Sequence, residues 1–179
     1  MNPLTKEAYQ MRKVCAVLLI MLVAVAGCGI KNGNGTKDGE GKKVIKVGFI
    51  APLTGDRRVQ GEAARRGFEL AIQQYKGDFK IVPVIADDRN NDMTSKVARK
   101  LIEQDKIVAL VSPLANPALN NDKVILLTGT QRDLEPDALT KLTYGVTNLL
   151  LNAINNANSD NPVKIKNALN QEAKILESN

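Results

Sequence analysis

The chain is 179 residues long and contains no histidine and only two cysteines, Cys15 and Cys28. That composition removes Ser-His-Asp and Cys-His catalysis and the commonest zinc sites. Its formal charge is +6, yet Trp is absent and Phe and Tyr number three each. A nucleic-acid binder ideally pairs basic residues with stacking aromatics, so that class is set aside.

At the N-terminus Lys6, Arg12 and Lys13 precede an unbroken apolar run, residues 14–26, which ends in Val25-Ala26-Gly27-Cys28. A basic segment, a short apolar segment and small residues before a cut site mark a secretory signal. The run is short for a membrane span, which needs roughly 20 residues. Val-Ala-Gly-Cys resembles the bacterial lipobox, in which the cysteine is diacylated and becomes the new N-terminus, so Cys28 is the expected lipidation site and residues 1–27 the expected signal peptide. An ordinary signal cut near Gly27, or a short anchor, is the alternative. Translation from Met11 instead of Met1 would still leave a complete signal. Cys15 departs with that signal, and a lone thiol at the mature N-terminus suits lipidation. Removal of residues 1–27 leaves a charge of about +4, which suits an anionic membrane surface.

Residues 28–43 contain GIKNGNGTKDGEGKK, a Gly/Asn/Lys stretch with almost no apolar content, expected to be a flexible tether. Its glycines precede the first strand, whereas a dinucleotide-binding turn follows one, so no such site is expected.

From residue 44 onward the chain is long enough for one domain with a real core. Residues 44–51 are nearly continuously apolar, as in a strand covered on both faces. Residues 60–75 place Ala64, Phe68, Ala71, Ile72 and Tyr75 on one helical stripe. Residues 81–86 read as a second strand, and Pro83 assigns it to a sheet edge because proline cannot donate to a ladder. A second helix is expected over 94–104, a third strand over 107–111 and a fourth over 124–128. The longest helical pattern covers 139–157, with Leu139, Leu142, Val146, Leu149, Leu150, Ala153 and Ile154 on one face. Asn161-Pro162 reads as an N-cap with proline at the first helical position, opening a last helix through residue 169. Strands spaced by helices predict an α/β fold, a parallel sheet with helices on both faces. Ligands of such sheets meet the loops at the strands' C-terminal ends, among them VGFIAPLTGDRRVQG, residues 47–61.

Two charged clusters have alternative readings. Asp87, Asp88 and Asp92 could gather a divalent cation or form a receiver-like phosphoacceptor site. The plainer reading, which is preferred, is a solvated loop in which Asp92 or a neighbour caps the next helix. Arg57, Arg58, Arg65 and Arg66 either recognise a carboxylate or phosphate near a helix N-terminus or form a solvated face, the latter being the commoner outcome. No Walker sequence, catalytic constellation, metal site or cofactor motif is found, and no enzyme is expected.

Taken in order, IKVGFIAPLTGDRRVQGEAARRGFELAI, KIVPVIADDRNND, SKVARKLIEQDKIVALVSP, SPLANPAL and LTYGVTNLLLNAINNANSDNPVKIKNAL resemble the branched-chain amino-acid type of periplasmic binding protein, the substrate-binding lipoproteins of ABC importers. The similarity covers nearly all of residues 44–169. It implies one lobe of a type I periplasmic binding protein, residues 44–179, with 44–117 and 123–171 resembling two separate stretches of the family's first lobe. The second lobe is missing between Asn116 and Lys123, as are a helix and a strand before SPLANPAL, so the sheet is expected to be incomplete.

Carried over residue by residue, Gln60 falls where the family sets a side chain against the ligand. Ser112 and Pro113, then Ala115, Asn116 and Pro117, match its ligand-loop signature apart from a missing threonine. The resemblance implies an extracytoplasmic, lipid-anchored solute binder with an amino acid or similar small polar ligand, an ABC-transporter permease as partner and no nucleic acid. The alternatives are a non-binding remnant of such a protein, or a stand-alone α/β metal-binding or receiver-like domain.

Overall fold

The computed structural model describes residues 37–89, 93–114, 124–128 and 134–177. Its elements are β1 (Val44–Ala51), α1 (Arg58–Gln74), β2 (Lys80–Asp87), α2 (Thr94–Glu103), β3 (Ala109–Ser112), β4 (Ile125–Thr128), α3 (Pro136–Ala157) and α4 (Pro162–Glu177). The four strands form one parallel sheet in the order β2-β1-β3-β4. The α/β architecture and parallel sheet agree with the sequence reading, and β2 with its exposed Pro83 does lie at an edge.

β1 explains why both faces of the sheet are covered. Its Ile45, Val47, Phe49 and Ala51 join Ala64, Phe68 and Ala71 of α1, Leu139, Leu150, Leu151 and Ile154 of α3 and Ile165 of α4 in one buried cluster. Phe49 and Phe68 stack there with ring centroids 4.9 Å apart. Ile50 faces the other way, joining Ala98, Leu101 and Ile102 of α2 with Ile107 and Leu110. Alternation along a strand thus divides the apolar run between two cores.

Boundaries differ from expectation where local chemistry intervenes. β3 begins at Ala109 rather than at residue 107, because Lys106 takes a left-handed φ of 58° and the Ile107 N–H donates to the Leu101 carbonyl at the end of α2. α3 starts three residues early, with Pro136 in its first turn and Asp137 close behind, favourable at a helix N-terminus. It stops at Asn158, whose left-handed φ of 43° asparagine tolerates better than most residues. Asn161 caps α4 as expected, its Oδ1 accepting from the N–H of Val163 at 2.9 Å and of Lys164 at 3.3 Å. The end of the expected tether is ordered: Lys37 bridges Lys43, and Asp38 Oδ1 accepts from the N–H of Glu40 and Lys42. Cys28 and the signal-like segment lie outside the described residues.

α1 and α3 pack side by side with little room. A Cβ on Gly67 would sit 2.2 Å from the Thr140 carbonyl oxygen, and the Thr140 hydroxyl donates to the Ala63 carbonyl at 2.9 Å. Lower down, Tyr75 Oη donates to Asn155 Oδ1 at 3.3 Å and the Asp78 N–H to the same oxygen at 3.1 Å. Gly67→Ala should therefore push the helices apart and cost about 1–3 kcal/mol, the range for overpacking. Gly145→Ala, on α3 with nothing within 4 Å of the added carbon, should instead stabilise by up to about 1 kcal/mol. Urea unfolding of both variants checks the pair; a neutral Gly67→Ala would disprove the close approach.

Candidate functional site

β1 is the point from which the chain leaves in two directions. β1-α1-β2 adds a strand on one side, and the return through α2 places β3 on the other. Such a switch point opens a crevice at the strands' C-terminal ends, flanked here by the loop after β1 and the residues after β3. The loop after β1 runs from Pro52 to Arg57. Gly55 takes a φ of 76°, which favours glycine, and its carbonyl accepts from the Arg58 N–H at 3.2 Å, opening α1.

The neighbouring strand holds this loop. Asp87, the last residue of β2, accepts at Oδ1 from the Leu53 N–H at 2.9 Å and at Oδ2 from the Thr54 hydroxyl at 2.5 Å, while the Arg89 N–H donates to Oδ1 at 2.9 Å. Burial pushes the Asp87 carboxyl up, but these bonds to the charged form outweigh it and hold the group below the usual carboxylate range. Asp88 is fully buried and accepts from the Thr94 hydroxyl at 2.9 Å, while its carbonyl accepts from the Met93 N–H. The two carboxylates thus serve different local structures: Asp87 clasps the β1–α1 loop and Asp88 secures the entry to α2. Asp92 lies outside the described residues, which contain no group of three or more potential metal ligands.

Gln60 stands in the first turn of α1, next to the clasped loop, and its Oε1 is buried without a hydrogen-bond partner among the described residues. Ser112 ends β3, in register with Thr128 of β4, and is fully buried. By strand alternation Ser112 falls on the α2 side of the sheet with Leu110, whereas α1 packs against the opposite face. Gln60 and Ser112 therefore share the C-terminal end of the sheet but not a face. Ala115 and Asn116 lie outside the described residues. Of the arginines, Arg65 pairs with Glu69 at 2.9 Å and Glu62 at 3.9 Å, as expected for a solvated helix face. Sequence reasoning missed the Asp87 clasp; the signal was present as a carboxylate at the end of the strand beside the Leu53-Thr54-Gly55 turn.

Two described concavities lie away from this crevice. One of about 630 Å³ runs along α2 from Met93 to Gln104, and one of about 390 Å³ sits at the opposite end of the sheet between Asp38, Tyr75, Phe79 and Lys80. The switch-point argument follows from strand order and loop geometry and does not depend on either.

The periplasmic binding protein family model matches residues 44–137, just over half of the chain, and the chain belongs to that family. The family is of solute-binding rather than enzymatic type, and membership implies an extracytoplasmic setting. Among solved structures, the leucine-binding protein LivK of Thermotoga maritima is 21% identical, with a TM-score of 0.43 over 47% of this chain and 27% of its own. The branched-chain amino acid substrate-binding protein LivJ of Streptococcus pneumoniae, solved with isoleucine, is 25% identical, with a TM-score of 0.43 over 51% of this chain and 30% of its own. A solute-binding protein of an R. palustris ABC transporter, solved with benzoate, is 32% identical, with a TM-score of 0.36 over 38% of this chain and 20% of its own. The chain spans less than a third of the length of each of these three proteins. No curated protein matches.

Asp87→Ala should release the β1–α1 loop and cost about 1–3 kcal/mol near neutral pH, the scale of hydrogen bonds to a charged group. Because the folded-state pKa of Asp87 is depressed, its stabilising contribution is present above the unfolded value of about 3.9 and lost as pH falls through the folded value. The stability difference between wild type and Asp87→Ala should therefore be flat above about pH 5 and shrink below about pH 4. A pH series of denaturant melts measures it; a difference that grows on acidification would be the wrong sign.

Proposed function

We propose that this chain is the solute-recognition lobe of an ABC importer for amino acids or similar small polar solutes, anchored by a lipid at Cys28. In this reading residues 1–27 are a signal peptide, residues 28–43 connect the anchor to the lobe, and the permease of the importer is its protein partner. The observation that carries the proposal is the family match over residues 44–137, which contains β1, the clasped loop and the switch point between β1 and β3. Gln60 adds a chemical feature: a buried acceptor without a partner costs free energy in the free protein and would regain it from a donor such as an ammonium group. Gln60 and the segment Ser112 to Asn116 are the residues proposed to border the ligand. Binding by one lobe relies on an open face, since closure of two lobes around a ligand is the usual source of affinity in hinged binders.

A second reading is that the chain is a non-binding remnant. It is favoured by the open face of a single lobe, which holds small ligands poorly.

Thermal melts with a panel of amino acids separate the two readings. Ligand at about 100 times its dissociation constant stabilises the native state by about 2.7 kcal/mol, so one compound should raise the midpoint by several degrees. No shift with any compound at millimolar concentration would favour the remnant. Gln60→Leu should abolish the ligand shift while leaving the ligand-free melt unchanged or raised by up to about 1 kcal/mol, because a buried unpaired acceptor is removed. A Gln60→Leu protein that retains the full shift would remove Gln60 from the site.

A further inference from the structure

The charge of the described surface is unevenly distributed. On the outer face of α2, Lys96, Arg99 and Lys100 are exposed at helical spacing, and exposed Lys106 follows in the turn after the helix. None of these four takes part in a salt bridge with a described residue. Two further cations share this side of the sheet. Lys46 has the strand parity of Ile50, which packs against α2, and Lys80 is in register with Val44, of the same parity. Lys46 Nζ donates to the Asp105 carbonyl at 3.1 Å, which ties it to the turn carrying Lys106. Near these six cations stand the carboxylates of Asp38, Glu40, Glu103 and Asp105, of which the Asp38 side chain is 7% exposed and 3.7 Å from Lys80. Arg65 of α1 differs, because it is held between Glu62 and Glu69.

The end of the sheet at which the chain enters matters equally. Lys46, Lys80, Lys106 and the last turn of α2 lie at the N-terminal end of the strands, and the described chain begins there too, at the Lys37–Lys43 bridge. If Cys28 is the anchor, the nine residues 28–36 span at most about 30 Å fully extended, so this end cannot stray far from the bilayer. We propose that the basic face formed by α2, the Lys106 turn and the adjoining strand starts is a docking surface for anionic phospholipid headgroups, which lays this side of the lobe against the membrane. Its orientation rests on the anchor reading above; its charge does not. Polybasic surfaces gain from each Lys or Arg brought near an anionic bilayer and lose that gain in salt.

Vesicle flotation of the full chain tests the proposal. Binding to phosphatidylcholine alone reports the N-terminal anchor segment, and the increment on adding phosphatidylglycerol reports charge. The increment should be about ten-fold or more at about 0.1 M salt and vanish at about 0.5 M. Combined Lys96→Gln, Arg99→Gln, Lys100→Gln and Lys106→Gln should remove most of it. Combined Arg66→Gln, Lys141→Gln, Lys164→Gln and Lys166→Gln, at exposed positions on the other helices, should leave it in place. All eight sites are exposed, and a melt of each variant checks that it folds. No increment, an increment surviving the α2 substitutions, or equal loss in both variants overturns the basic face. Failure to float with phosphatidylcholine argues against the anchor segment, while the phosphatidylglycerol increment still reports on the surface.

Discussion

β1 is hydrogen-bonded along both edges and covered on both faces, and everything else in the described structure is arranged around that burial. Its partner on one edge is β2 over all eight residues; on the other, β3 pairs only through Val47, Gly48 and Phe49. Backbone groups sealed in this way cannot turn to water, so each needs its ladder partner. Gly48 shows how tight the result is: a Cβ there would lie 2.6 Å from the Ile107 side chain, on the α2 face. The helices supply the remaining walls, α1, α3 and α4 on one face and α2 on the other.

The Asp87 clasp extends this constraint into the site. A loop at a strand's end usually owes its conformation to its own turn residues, and Gly55 does part of that here. The Leu53 and Thr54 contacts come from the adjacent strand, so the position of the loop depends on the β1–β2 register. A slip of one residue would turn the carboxylate to the opposite face. In this fold the accuracy of the loop after β1 is therefore inherited from the buried strand pair, and Gln60, two residues into the helix after Arg58, inherits it in turn.

What was legible in the sequence is what repeats at short range. The strand at Val44–Ala51, the edge proline Pro83, the paired helical faces and the Asn161 cap all leave a local pattern, and the structure contains them. What was not legible depends on residues far apart in the chain. Asp87 meets Leu53 across 34 positions and Thr140 meets Ala63 across 77, and neither pairing leaves a period. The start of β3 was misjudged for a related reason: Ile107 is apolar and buried, but it is spent on closing α2 instead of extending the ladder. Of the candidate ligand residues, Gln60 and Ser112 could be placed at the C-terminal end of the sheet from sequence order alone. Their separation onto different sides of it required the register.

Strand polarity has one more consequence. In a sheet whose strands all run the same way, every strand start lies at one end and every strand finish at the other. The clasped loop and Gln60 occupy the finish, while the Lys37–Lys43 bridge, Lys46, Lys80 and Lys106 occupy the start. The end at which the described chain begins is therefore the end that carries these lysines, and the clasped loop is as far from it as the sheet allows. A parallel sheet separates its two ends in this way without any additional element.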